Sequence, residues 1–182
     1  SLKAGLPSAY AGAVQVRFNG VNQSSAGGGM FGSYAHVEVV DGDWARVHYP
    51  EDSNGNVYSK RRPECWLEYL GSDPSAYSGC GFDKESNASE NDWTDLMNLT
   101  FALDPETTSS SEYVTAVRRN LNVDLWLRYF AVLCLMDYNE TALSNGADDD
   151  YNLYRGVLAG LIDGNLDHLP DGGYGTCQNA RD

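Results

Sequence analysis

The sequence lacks an apolar run long enough to cross a bilayer. Its longest candidate, Val123 to Met136, is interrupted by Asp124 and Arg128, whereas a spanning helix needs roughly 20 apolar residues. The chain is therefore expected to be soluble. Basic residues are also scarce: 12 Lys and Arg stand against 26 Asp and Glu, a formal net charge of −14. Such a balance repels polyphosphate and forfeits counterion release, which argues against nucleic acid and anionic membranes as partners. Only three histidines occur, His36, His48 and His168, and no Cys-x-x-Cys or His-x-x-x-His spacing is present, so a zinc site is not expected. The glycine cluster Gly27-Gly28-Gly29 is followed by neither a helix pattern nor the lysine of a phosphate loop, and reads as a loop tip. No basic-apolar leader precedes Ser1, so any signal peptide is expected to have been removed or to lie upstream.

What is present is enough for a core. The 182 residues are 42% hydrophobic and 12% aromatic, the range of a single globular domain. Four cysteines and four Asn-x-Ser/Thr sequons, at Asn22, Asn87, Asn98 and Asn139, point together to an oxidising, secreted or extracellular compartment. Cys65 and Cys80 flank a Gly/Ser/Pro-rich loop and are expected to form a disulfide. Cys134 has two readings, a buried free thiol or a partner for Cys177.

The first half reads as β and the second as α. Val14, Val16 and Phe18 alternate with polar residues up to an Asn19-Gly20 turn; Tyr34 to Val40 and Trp44 to Tyr49 follow as strands joined through Asp41-Gly42-Asp43, an antiparallel meander over residues 1–70. Residues 89–160 carry helix punctuation. Ser89-x-x-Asp92 is expected to cap a helix with Trp93, Leu96, Met97 and Phe101 that ends at Asp104-Pro105. Ser109-x-x-Glu112 is expected to cap a second, and Asn122 a third. The third is apolar on nearly all faces and is expected to be the central core helix, with Trp126, Tyr129 and Phe130 in the core and Arg128 in need of a partner. Residues 161–182 read as an irregular tail. The third helix runs into a loop crowded with carboxylates, Asp137, Glu140 and Asp148-Asp149-Asp150. Anchoring such groups beside a core is costly unless a cation, a network or a reaction uses them. Neither Asp148-Asp149-Asp150-x-Asn152 nor Asp163-Gly164-Asn165-Leu166-Asp167 has the glycine and distal glutamate of an EF-hand, so each reads as an acidic turn.

Several phrases occur in a telling order: Ala4-Gly5-Leu6-Pro7-Ser8, Val16-Arg17-Phe18-Asn19-Gly20, Phe31 to Asp41, then Trp126-Leu127-Arg128-Tyr129-Phe130-Ala131, Asn139-Glu140-Thr141, Asp149-Asp150-Tyr151 and Leu153-Tyr154-Arg155-Gly156. In that order they resemble the CotH family, named for spore-coat protein kinases, over roughly residues 4 to 157.

The resemblance implies an α+β, atypical protein-kinase-like fold, a β-rich lobe on a helical lobe, forming one partial domain over 1–182 that is incomplete at the N-terminus. It implies ATP with Mg or Mn as cofactor and transfer of phosphate to Ser/Thr of extracellular proteins. Phosphoryl transfer asks the protein chiefly for carboxylates on a metal and basic groups on phosphates. By the resemblance, Glu38 and Lys60 are cofactor-binding, Glu140, Asp149 and Asp150 catalytic, and Asp150 with Asp167 metal-binding. Each has a plainer alternative: Glu38 as an outward strand residue, Lys60-Arg61-Arg62 as a solvated basic turn, Asn139 as a glycan acceptor rather than part of a cleft. The family's His-Asp-x-Asp phrase is not found after Gly156; Asp167 and Asp171 occupy its neighbourhood. The resemblance therefore leaves two functions open: a secreted kinase or a fragment of one, and a catalytically inactive, kinase-derived module of an extracellular glycoprotein assembly.

Overall fold

A computed structural model of the chain describes residues 4–22, 34–63, 65–138 and 150–157, and the backbone of 175–178. Among the described residues there are eight strands, β1 (Ala11–Val14), β2 (Arg17–Phe18), β3 (Val21–Asn22), β4 (Tyr34–Val37), β5 (Asn56–Lys60), β6 (Phe82–Lys84), β7 (Tyr151–Arg155) and β8 (Gly175–Gln178). The helices are α1 (Gly42–His48), α2 (Pro74–Gly79), α3 (Thr94–Leu103), α4 (Tyr113–Asn120) and α5 (Val123–Leu135). The mixture agrees with an α+β class. No helix among the described residues is long and apolar enough to cross a membrane.

The main sheet has the order β6-β5-β7-β8, antiparallel throughout. It joins the two halves of the chain, because β7 pairs with β5 over the full length of both strands, Asn56 opposite Arg155 and Lys60 opposite Tyr151. A meander of consecutive strands confined to residues 1–70 is therefore not what forms. In that half β1 pairs with β4, and β2 with β3 across a turn in which Asn19 (φ 50°) and Gly20 (φ 80°) are both left-handed, the geometry that makes Asn-Gly a hairpin signal. Gly175–Gln178, within the expected irregular tail, is a strand.

The expected strand Trp44 to Tyr49 is instead helix α1. Asp41 caps it, its Oδ1 accepting from the Asp43 and Trp44 amides at 2.8 and 3.2 Å. The inward residues are Trp44, Ala45, His48 and Tyr49, while Val47 is exposed. That is a helical stripe of i, i+1, i+4, i+5; the alternation that suggested a strand would have buried Val47 beside Ala45 and Tyr49. The preceding strand stops at Val37, although the Glu38 amide still reaches the Tyr10 carbonyl at 2.8 Å.

Helix punctuation is closer to expectation. Asn122 caps α5, accepting from the Leu125 amide at 2.9 Å. Asp92, not Ser89, sets the start of α3, its Oδ1 accepting from the Thr94 amide and hydroxyl at 3.0 and 2.7 Å; Ala88–Glu90 is a separate 3-10 turn. α3 ends at Leu103 before Asp104-Pro105, as the restriction on residues preceding proline requires. Ser109 bonds the Glu112 carboxylate at 3.1 Å one turn ahead of α4.

The largest buried cluster packs Tyr58, Phe82, Tyr151 and Leu153 of the sheet against Leu96 and Leu99 of α3 and Tyr77 of α2. A second sets Trp44 and Ala45 against Val57 and Tyr154 on the opposite sheet face, as strand alternation requires. α5 does not sit at the centre. Leu125, Tyr129 and Leu133 form a smaller cluster with Leu6, whereas Leu127, Leu135 and Met136 are exposed. Trp126 does pack against the main cluster and Phe130 against the smaller one. Arg128 reaches the Gly5 carbonyl from an exposed position at 3.5 Å. Cys134 is an exposed free thiol rather than a buried one.

Candidate functional site

Antiparallel pairing of β5 with β7 brings Lys60 and Asp150 to one end of the sheet. Lys60 closes β5, Tyr151 opposite it opens β7, and the Asp150 amide donates to the Lys60 carbonyl at 2.9 Å. Asp150 has a positive φ of 60°, a conformation that aspartate tolerates better than most residues. Thus two residues 90 positions apart, both assigned through the family resemblance, are joined by one backbone hydrogen bond.

Lys60 is not a solvated turn residue; it is 1% exposed. Its Nζ donates to the carbonyls of Arg61 and Pro63, each at 2.8 Å, and lies 5.6 Å from the centre of the Phe82 ring. A buried ammonium needs such acceptors, because desolvation without them costs several kcal/mol, on the order of the penalty for any buried ion. The loop that supplies the carbonyls is held on both flanks. The Arg61 amide donates to the Gly81 carbonyl at 2.8 Å, and Cys65 is disulfide-bonded to Cys80, with Cα atoms 5.6 Å apart. Gly81 is required here: its φ is 83°, and a Cβ would collide with the Arg61 carbonyl oxygen.

Glu38 has other partners. Its Oε2 accepts from the Tyr10 amide at 3.0 Å and lies 2.9 Å from His48 Nε2. His48 stacks on Trp44 and tilts against Tyr10, with ring centres 4.8 and 5.0 Å away. This carboxylate ties Tyr10, just before β1, and the end of α1 to the residue that follows β4, so Glu38 is held by the fold and is not an outward strand residue.

Two further carboxylates matter that sequence reasoning passed over. Asp52 is 5% exposed and its Oδ1 accepts from the Val157 amide at 2.9 Å, while its carbonyl accepts from the Tyr154 hydroxyl. Burial, followed by the charge of Asp52, pushes the Tyr154 hydroxyl up to about 12. Gly156 lies so close that a Cβ there would occupy the Asp52 carboxylate. The Leu153-Tyr154-Arg155-Gly156 phrase is thus a docking strip: Leu153 and Tyr154 fill opposite faces of the sheet, and Gly156 admits Asp52. Asp95, at the start of α3, accepts from the Tyr58 hydroxyl at 2.6 Å, Asn56 Nδ2 at 2.8 Å and the Leu96 amide at 2.8 Å. Burial and then this carboxylate raise the Tyr58 pKa well above that of an ordinary tyrosine. Asp52 follows a helix-like stripe and precedes Ser53-Asn54-Gly55, a turn signal that marks a surface loop and not a buried acid.

Of the other expected site residues, Glu140, Asp149, Asp167 and Asn139 lie outside the described residues, as do the side chains of Cys177 and Asn22. Asn87 and Asn98 are described: the first bonds inward at a left-handed turn, and the second is exposed on α3. Among the described residues no three His, Cys, Asp or Glu side chains converge as a metal site. Asp150 could offer one carboxylate to a metal. Lys60, with its ammonium turned into the Arg61–Pro63 loop, does not fit a phosphate in this arrangement.

Nothing among curated proteins matches the chain. The family model described as CotH kinase protein matches residues 3–158, a span that takes in the β1–β4 ribbon, the α3–α5 helices and the β5–β7 pairing that joins Lys60 to Asp150. The chain belongs to the CotH kinase protein family.

Proposed function

We propose that the chain is a secreted CotH-type protein kinase or a fragment of one, serving transfer of phosphate from ATP, with Mg or Mn, to Ser/Thr hydroxyls of extracellular proteins. The observation that carries this reading is the backbone hydrogen bond that sets Asp150 beside Lys60 in the chain path at the end of β5 and β7. In phosphoryl transfer the nucleotide and its metal supply the reactive group, and the protein holds and orients it. Glu140, Asp149 and Asp167 are proposed as the further carboxylates, and Lys60 must leave the Arg61 and Pro63 carbonyls to reach a phosphate. The disulfide between Cys65 and Cys80 supports an oxidising compartment.

A second reading has its own support. Lys60 and Glu38 are both engaged by the fold, with backbone carbonyls and with His48 respectively, as expected of a kinase-derived, non-catalytic module of an extracellular assembly. Titration of the folded chain with ATP and manganese separates the two. The kinase reading expects saturable binding that Asp150→Ala weakens at least about tenfold, roughly the 1.4 kcal/mol of one good charge-assisted contact. Absence of binding by folded protein leaves the non-catalytic module, and binding unchanged in Asp150→Ala removes Asp150 from the site.

A further inference from the structure

Two of the sequons sit in opposite settings, and the contrast concerns a modification independent of phosphotransfer. Asn87 occupies a left-handed turn (φ 50°) and spends its amide nitrogen inward. Nδ2 lies 3.0 Å from the Asn54 carbonyl, 3.2 Å from the Gly55 carbonyl and 3.0 Å from Asn56 Oδ1. These bonds pin the 54–56 turn to the segment after β6. A glycan replaces one hydrogen of that same nitrogen and needs open space in front of it, so a sugar on Asn87 would break the contact and collide with the turn.

Asn98 is the converse. It lies on the exposed side of α3, with Leu96, Leu99, Thr100 and Ala102 buried and Thr94 exposed one turn away. Phe101, one turn further along the same face, is 45% exposed with its ring 5.1 Å from Tyr69 in an edge-to-face contact. Helical side chains lean toward the N-terminus, over the residue three or four positions before them. Asn98 and Phe101, three residues apart, are thus neighbours on the helix surface, and the exposed part of the Phe101 ring offers an apolar surface near the attachment point.

We propose that Asn98 is an N-glycan acceptor of this protein, with the Phe101 ring as the platform for the first sugar, and that Asn87 is left unmodified in the folded chain. The new bond joins Asn98 Nδ2 to the anomeric carbon of an N-acetylglucosamine. The donor is a lipid-diphosphate-linked oligosaccharide; the bond from that carbon to the diphosphate breaks, the diphosphate leaves with the electron pair, and Nδ2 gives up one proton. Transfer must precede folding, since the sequon hydroxyl of Thr100 is 0% exposed and bonded to the Leu96 and Met97 carbonyls and to Tyr77. The folded structure then decides which glycan can be tolerated.

The chain is secreted from a eukaryotic cell line, the folded monomeric fraction is isolated, and glycans are released enzymatically in isotopically heavy water before peptide mass spectrometry. The expected result is a heavy-labelled Asp at position 98 and unlabelled Asn at position 87. An unlabelled Asn98, or a labelled Asn87 in that fraction, overturns the assignment. For the platform, protein trimmed to a single N-acetylglucosamine is expected to melt about 2 °C above fully deglycosylated protein, a shift typical of a small contact in a chain of this size. Phe101→Ala should abolish that difference. An unchanged difference in Phe101→Ala, or none in the wild type, removes Phe101 from the proposal.

Discussion

Replacement of Gly156 by alanine tests how the end of β7 is docked. Gly156 is buried, its φ does not lie in the left-handed region, and the Cβ of an alanine would occupy the Asp52 carboxylate. The penalty is therefore steric rather than conformational. Forcing a methyl into a packed site costs about 1–3 kcal/mol. Moving the carboxylate also weakens its 2.9 Å bond from the Val157 amide, a charged hydrogen bond worth roughly 1.5–3 kcal/mol. Together Gly156→Ala should lose about 2–5 kcal/mol, read as a fall in the urea midpoint at unchanged slope. Asp52→Ala also destabilises, because the amide loses its acceptor, but it clears the space. The double variant should therefore be more stable than the sum of the singles by about 1–3 kcal/mol. A loss under about 1 kcal/mol in Gly156→Ala, or strict additivity in the cycle, would refute the docking argument.

The Cys65–Cys80 bridge closes a separation of 15 residues, so Cys80→Ser should cost about 3 kcal/mol in the chain-entropy account; an unchanged urea midpoint under oxidising conditions contradicts it. Acid should loosen the start of α3. The Thr94 amide and hydroxyl hold the Asp92 carboxyl below the usual aspartate range, so its stabilisation is fully present above the unfolded pKa and is lost as pH falls through the lower folded value. Asp92→Asn should flatten the pH dependence of stability in that acid window, and an identical profile to the wild type would show that the cap does not contribute.

Features set by neighbours in sequence were legible without coordinates. The Asn122 cap of α5, the stop before Pro105 and the Asn19-Gly20 hairpin turn depend on side chains and φ preferences within a few residues, and each forms where the sequence indicates. Helix α1 was misread for a local reason too: six residues of Trp-Ala-Arg-Val-His-Tyr fit either period, and the Asp41 cap together with packing of Trp44 and Ala45 on Val57 and Tyr154 decides for the helix. The exposed outer side of α5 shows that apolar composition does not establish position in a fold.

At the candidate site, the sequence by itself determined the family, the acidic and lysine residues available, and the cysteine pair that bridges. Only the tertiary structure decided their partners. β5 and β7 are separated by 90 residues, and their register places Asp150 on Lys60. The Arg61–Pro63 carbonyls take up the lysine charge, His48 takes Glu38, and Gly156 leaves room for Asp52. These are contacts between segments far apart along the chain, and a side chain's type states which bonds it can make without stating which atoms will be brought within 3 Å of it, a distance set by packing of the whole sheet.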